Sequence, residues 1–389
     1  MRIAICYEHF DPSRGGLEVY ARDLVRHLAQ HGHRVDLIGH SCHAAYLESP
    51  SVFFHEVPQR GLGRRQQMLA FAQSCEALAA VLPCDVAVSL SRACSLDVWI
   101  LQGGTYAGSW RLGLHKHRSP ILRWLADWAK ALSPRSRALA LREHDLLGRE
   151  KTPFLVVPSR MVRDHLVTYY GIPERSVWVI PNAVDGERLR IVGTSRVRRV
   201  ERARWGLAEH APVGLFLATN YRLKGLAPLL RAVQRVQTPA FRLLVCGSDR
   251  DGRWRRLAAR LHVSDRVLFA GYATDARTVF AMADFLIHPT FYDPCSLVVL
   301  EALAYGLPVI TTRANGAAEL LHPPADGIIL DDPWDTDLLA RYIDYWCDPL
   351  RRAGATRHAH RAAARWTWHD HFQALLAVLH RASYKRLAA

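Results

Sequence analysis

Short apolar runs alternate with amphipathic stretches along most of the chain, which predicts repeated strand and helix units. The apolar run in residues 1–10 reads as a first strand. Leu17, Tyr20, Leu24, Val25 and Leu28 then recur at helical spacing, Gly32 ends that helix, and residues 34–39 resume as a strand. Further on, 66–82 reads as a helix, 85–90 and 97–101 as strands, 154–159 as a strand and 161–170 as a helix. A second series follows: strands at 213–220, 241–248, 267–272 and 283–289, and helices at 227–235 and 297–305. Residues 309–312 form a short buried strand, and from Trp334 onward the chain is mostly helical. The arginine-rich residues 188–206 read as a linker plus the first helix of a second domain. Strands alternating with helices predict parallel sheets in an α/β fold.

Composition narrows the class. With 389 residues the chain is long enough for two domains, and its 50% hydrophobic and 22% charged content suits a globular protein. No apolar run reaches 18 residues, and the first ten are too few and too polar for a signal peptide, so a cytoplasmic location is expected. Eight scattered cysteines form no C-x-x-C pair and read as thiols buried in a reducing compartment. A net charge of +15 attracts nucleic acid, anionic membrane or acidic substrates. Residues 107–151 hold ten Lys or Arg against four Asp or Glu, interleaved with Trp110, Trp124 and Trp128. This stretch suits the surface of an anionic membrane, or equally a domain helix with a solvated basic face. No helix-turn-helix, RNP or zinc-finger pattern points to nucleic acid.

The chemistry concentrates at residues 293–310. Ser296 is placed to cap the helix at 297–305, Gly306 to end it and Pro308 to prevent its continuation. The start of such a helix offers unpaired backbone N–H groups and partial positive charge, a seat for phosphate at Ser296, Leu297 and Val298. Asp293 stands just outside that seat, and Glu301 lies about five residues inside the helix, roughly 7 Å along its axis. An acid on each side of an anion site suits ribose, diphosphate and hexose, the parts of a nucleotide sugar; the plainer reading is a loop charge and a solvated helix residue. Arg222 and Lys224 follow another strand end and can neutralise a diphosphate. The pair Gly15-Gly16 after the first strand allows close approach of a ligand. His288, before Pro289, reads as either a core histidine or a pocket residue, and Cys295 shows no base that would make it a nucleophile.

The spacing from Asp293 to Glu301, followed by Ala302-Leu303-Ala304-Tyr305-Gly306-Leu307-Pro308-Val309-Ile310, resembles the signature of the family 4 retaining glycosyltransferases. The resemblance implies a GT-B fold, two Rossmann-like domains facing across a cleft. It divides the chain into an acceptor-binding domain at 1–185 and a nucleotide-sugar domain at 186–365, with the helix at 366–389 packing back on the first. The first acid of this signature is usually Glu; Asp293 has a shorter reach to the donor sugar. The resemblance also places Gly247 near the nucleotide, Gln102 and Gly103 near the acceptor, and Lys224-Gly225 at the diphosphate, with Arg222 at a compressed spacing. Residues 7–16, 96–99 and 286–308 look like the lipopolysaccharide-core glucosyltransferases within the family.

The expected activity is transfer of a hexose from a nucleoside diphosphate sugar, a UDP-sugar being favoured, to a glycolipid, lipopolysaccharide-core or polysaccharide precursor, with retention. Lys224 and Arg222 stabilise the leaving diphosphate, Asp293 contacts the donor sugar, Glu301 holds the ribose, and Gly16 lets the first domain approach the donor. Neither metal nor cofactor is expected, and residues 107–151 would seat the protein on the inner face of the cytoplasmic membrane. A nucleotide-sugar epimerase of the same fold and a basic membrane- or nucleic-acid-binding module are the alternatives. A dinucleotide oxidoreductase would need a G-x-G-x-x-G fingerprint, which Gly15-Gly16 does not supply.

Overall fold

The computed structural model describes residues 1–94, 96–148, 152–189, 194–273 and 275–387. The chain divides into two compact units. Unit 1 comprises Met1–Leu114, Ser119–Pro181 and His369–Ala389; unit 2 comprises His115–Arg118 and Asn182–Trp368.

Unit 1 opens with β1 (Arg2–Cys6), the short β2 (His9–Phe10), α1 (Gly16–Gln30), β3 (Arg34–Gly39), β4 (Ser41–Cys42) and β5 (Val52–Glu56). It continues through α2 (Arg64–Val81), β6 (Val86–Ser89), β7 (Val98–Ile100), α3 (Tyr106–Leu114), α4 (Pro120–Leu132), α5 (Pro134–Leu147), β8 (Phe154–Val157), α6 (Arg160–Tyr170) and β9 (Val177–Val179). Its main sheet is parallel, in the order β5-β3-β1-β6-β7-β8-β9, and β2 pairs with β4 beside it. Ile3, Ala4, Ile5 and Cys6 are all fully buried, as expected for a central strand covered on both faces. The single strand expected over residues 1–10 is thus two, because the chain leaves the sheet after Cys6.

Unit 2 contains α7 (Gly186–Leu189), α8 (Thr194–Arg204), β10 (Val213–Leu217), α9 (Leu226–Val233), β11 (Arg242–Cys246), α10 (Gly252–Arg260), β12 (Val267–Gly271), α11 (Ala276–Met282) and β13 (Phe285–Ile287). Then come α12 (Leu297–Ala304), β14 (Val309–Thr312), β15 (Gly327–Leu330), α13 (Thr336–Cys347) and α14 (Pro349–Ala364); α15 (Trp368–Leu387) leads into the last segment of unit 1. The sheet is again parallel, ordered β12-β11-β10-β13-β14-β15. Both units are therefore doubly wound, with strand order reversing between β1 and β6 in the first and between β10 and β13 in the second. Ligands of such sheets bind outside the carboxyl ends of the strands at that reversal.

The arginine-rich stretch read as a linker plus the first helix of a second domain contains that helix, α8. Arg202 of α8 is almost fully buried; Arg198 and Arg202 reach Asp284 at 2.6 and 2.8 Å, and Asp284 also accepts from the backbone N–H of Val213. These two charges clamp α8 to the approach of β13.

Candidate active site

The turn after β10 is built by the backbone. Asn220 accepts from Leu223 N–H through its side chain and from Lys224 N–H through its carbonyl, and Leu226 N–H closes on Tyr221. Gly225 lies in the left-handed region at φ 86°, and a Cβ there would stand 2.0 Å from the Pro289 carbonyl oxygen. No other residue type fits, so Lys224 enters the site from a turn locked against the next loop.

That next loop follows β13. Thr290 Oγ1 donates to the Leu223 and Tyr292 carbonyls, Phe291 N–H donates to Leu223, and Thr312 Oγ1 donates to the Thr290 carbonyl. Asp293 is tied by backbone hydrogen bonds to Ala314 and Gly316. Lys224 Nζ and Asp293 Oδ2 meet at 2.5 Å, and the ammonium also donates to the Tyr292 carbonyl at 3.3 Å. Residues 69 positions apart thus converge where the strand order reverses.

The electrostatics follow from burial and pairing. Burial alone would raise the Asp293 carboxyl; Lys224 and then His288 override it and hold the group well below the usual carboxylate range. His288 is buried with Nε2 3.4 Å from Asp293 Oδ2, and burial pushes its imidazole down, so it is neutral. Among the described residues the buried Nδ1 has no hydrogen-bond partner, which assigns the proton to Nε2, facing the carboxylate. Between core and pocket, which the sequence left open for His288, the structure places it against the site.

Helix α12 begins at Leu297, four residues after Asp293. Ser296 is its N-cap residue, but its side chain makes no capping hydrogen bond, contrary to expectation. Its backbone N–H is taken by Asn315 Oδ1, which accepts from Ala317 N–H as well, while Asn182 holds the Cys295 carbonyl. The side chains of Leu297 and Val298 are half-buried and Glu301 sits half-buried further along. The helix start is left without a side-chain cap, as an anion site requires. Burial pushes the Cys295 thiol up, which makes it inert. Gly247 follows β11 at φ 140°, where a Cβ would overlap the Ala218 carbonyl.

The structure brings Lys224, Asp293 and the α12 start together, but not Arg222. Its guanidinium lies 3.0 Å from His117 Nδ1 and lines a cavity of about 670 Å³ with Lys116, Arg250, Arg253, Arg256 and Asp249, all in unit 2. Lys224 points inward from the turn while Arg222, two residues earlier, is on its exposed side. Burial and then neighbouring cations push both Lys116 and Arg222 down, a sign of crowded positive charge. In unit 1, Gln102 hydrogen-bonds to the Tyr20 hydroxyl, and the Gly103 carbonyl accepts from Arg92. Gly16 is the exposed first residue of α1. Sequence reasoning missed Thr290, Thr312 and Asn315, since short polar residues in a loop carry no periodic signal.

Comparison with known proteins decides the family. The model described as "Glycosyltransferase Family 4" matches residues 14–188, and that described as "Glycosyl transferases group 1" matches 197–361. The chain belongs to the family 4 glycosyltransferases. This glycosyltransferase is 29% identical to a probable transglycosylase of Burkholderia thailandensis, over 90% of this chain and 88% of that one. It is 24% identical to the lipopolysaccharide glucosyltransferase WaaG of Escherichia coli, over 93% and 94%. The crystal structure of WaaG superposes with a TM-score of 0.79 at 21% identity, covering 97% of this chain and 98% of that chain. That of Anabaena HepE in complex with UDP-glucose gives 0.72 at 18%, covering both chains fully. The fold is therefore the two-domain GT-B type, and the glycosyltransferase is related to those of the lipopolysaccharide core.

Proposed function

We propose that this glycosyltransferase moves a hexose from a UDP-sugar to a glycolipid, lipopolysaccharide-core or polysaccharide precursor with retention of configuration. The observation that carries the reading is the convergence of Lys224, Asp293 and the uncapped start of α12 at the strand reversal of unit 2. The donor diphosphate lies over the backbone N–H groups of Leu297 and Val298 and beside the Lys224 ammonium. As the bond from the sugar C1 to the diphosphate oxygen lengthens, negative charge grows on that oxygen, and a preorganised cation and helix start stabilise it more than they stabilise the bound donor. Asp293, ionised and fixed by Lys224 and His288, directs the donor hexose through its hydroxyls, and Glu301 holds the ribose. Gly247 lets the backbone approach the nucleotide, and Gln102 and Gly103 take part in binding the acceptor. Arg222 adds positive charge at the edge of the donor site. The proposed reaction uses no metal and no base of the inverting kind. Support for a UDP-sugar comes from the HepE structure, whose bound ligand is UDP-glucose.

A thermal-shift screen of the whole chain against UDP-, GDP-, ADP- and TDP-glucose tests the donor. A ligand of the folded state raises the melting temperature by mass action. UDP-glucose should give the largest shift and Glu301→Ala should shrink it; a flat response to all four would remove the donor site. Product analysis with and without acceptor separates transfer from epimerisation.

A second observation favours attachment to an anionic membrane. Helix α4 has no buried residue, and Ile121, Leu122, Trp124, Leu125, Trp128 and Leu132 are all exposed. Trp110 donates to Asp127 at 2.7 Å, and Lys130 lies over the Tyr106 and Trp110 rings. A solvated basic face would turn these apolar side chains inward; here they face outward beside cations, the arrangement that suits acyl chains under anionic headgroups. Arg149, Glu150 and Lys151, the end of the basic stretch, lie outside the described residues.

A further inference from the structure

We propose that a cavity in unit 1 recognises a phosphate group carried by the acceptor, so that the acceptor is a phosphorylated saccharide. The inference rests on the transferase reading above and adds the chemistry of the second substrate. The cavity measures about 410 Å³ and is lined by Arg14, Arg64, Arg65, Arg92, Arg135 and Glu8, among others. Its position follows from the sheet: Glu8 comes two residues after β1 and Arg92 three after β6, the two strands between which the order of unit 1 reverses. That is the same topological location as the donor site in unit 2.

The charge arrangement fits a dianion. Arg14, Arg64, Arg65 and Arg135 form no ion pair among the described residues. Arg92 is held in place by donating to the Gly103 and Gly104 carbonyls, the latter at 3.0 Å. Arg64 and Arg65 open α2, and Arg135 lies in the first turn of α5; neither helix has an acid in its first turn. Cations at a helix start repel its partial positive charge, so three in two such starts is an arrangement unfavourable by itself. A phosphomonoester relieves it, and arginine forks match phosphate oxygens two at a time.

Glu8 supplies the other half of the recognition. Its Oε1 accepts from Ser91 Oγ at 2.6 Å, and a carboxylate so held accepts sugar hydroxyls as well. A volume of this size suits a monosaccharide phosphate. Inorganic phosphate alone would leave Glu8 facing the cations without a hydroxyl.

Calorimetric titration of the whole chain tests the pocket with three probes: inorganic phosphate, glucose 6-phosphate and glucose. Wild type should bind glucose 6-phosphate more tightly than phosphate, and glucose alone not at all. Arg64→Ala/Arg65→Ala should weaken both phosphate probes by about tenfold or more without lowering the melting temperature, since it removes like charges from a helix start. Glu8→Gln should abolish the advantage of the sugar phosphate over phosphate. Arg253→Ala/Arg256→Ala, in the basic cavity of unit 2, should leave all three titrations unchanged. Unchanged binding in the Arg64/Arg65 variant, an equal loss in the Arg253/Arg256 variant, or no phosphate binding to wild type at millimolar concentration would overturn the proposal. UDP-glucose hydrolysis, followed in parallel, should persist in the Arg64/Arg65 variant. Its absence from wild type would sink the donor reading and with it the acceptor role, whereas a wild type that hydrolyses UDP-glucose but binds neither phosphate probe would sink the pocket alone.

Discussion

Lys224 has two duties that a single substitution cannot separate. It supplies positive charge for the diphosphate, and it neutralises Asp293, which is buried beside it. Lys224→Ala leaves the buried Asp293 carboxylate without its cation, so stability should fall by about 3 kcal/mol or more in urea unfolding. Lys224→Met combined with Asp293→Asn removes both charges and should recover most of that loss while leaving the enzyme inactive. If the double variant were as unstable as the single one, the ion pair would not be the cause. His371 makes a separate prediction. Its Nδ1–H donates to the Pro181 carbonyl and its Nε2 accepts from the Tyr20 hydroxyl, and burial holds its pKa at about 4. A depressed histidine favours the folded state above the unfolded pKa and loses that contribution as pH falls through the window from about 6.5 to 4, at most about 3 kcal/mol. The melting temperature should therefore drop between pH 7 and pH 4.5, and His371→Gln, which keeps a donor and an acceptor, should drop less. Equal slopes would remove His371 as a source.

The elements show which parts of the molecule the sequence made readable. The strand expected over 34–39 is β3, and the helix expected over 297–305 is α12 with Tyr305 as its C-cap, because apolar periodicity and a terminating glycine both mark them. Strand β5 was missed: its apolar run, Val52-Phe53-Phe54, is only three residues long, and as an edge strand it buries Val52 alone. The candidate acids were readable from spacing, but the partnership of Lys224 with Asp293 was not, since nothing local joins residues on two different loops. Arg202 misleads for the converse reason, a buried cation looking like any other in an arginine-rich stretch. What couples the two loops of the site is Gly225, whose missing Cβ admits the Pro289 carbonyl. Gly225→Ala should cost about 3 kcal/mol or more, the left-handed strain plus the clash, and should lower donor affinity by displacing Lys224. A loss below about 1 kcal/mol in denaturant unfolding would show that the turn adapts and that this coupling is not required.

At the scale of the whole molecule, the excess of +15 charge has identifiable destinations. Part of it lines the two basic cavities and part accompanies the outward apolar face of α4. If α4 attaches the enzyme to membrane, Trp124→Ala/Trp128→Ala should weaken binding to phosphatidylglycerol vesicles by at least about tenfold and leave hydrolysis of soluble donor unchanged. Binding should also weaken with added salt, as for any attraction between a cationic surface and anionic headgroups. Vesicle binding indifferent to both changes would assign α4 another role. The account as a whole depends on charge developing beside Lys224 during transfer. The direct measurement is kcat for UDP-glucose turnover at saturating donor, wild type against Lys224→Ala, with the folded fraction of each fixed by its melting curve. A fall of about 100-fold or more at equal folded fraction is predicted; a kcat within a few fold of wild type would contradict it.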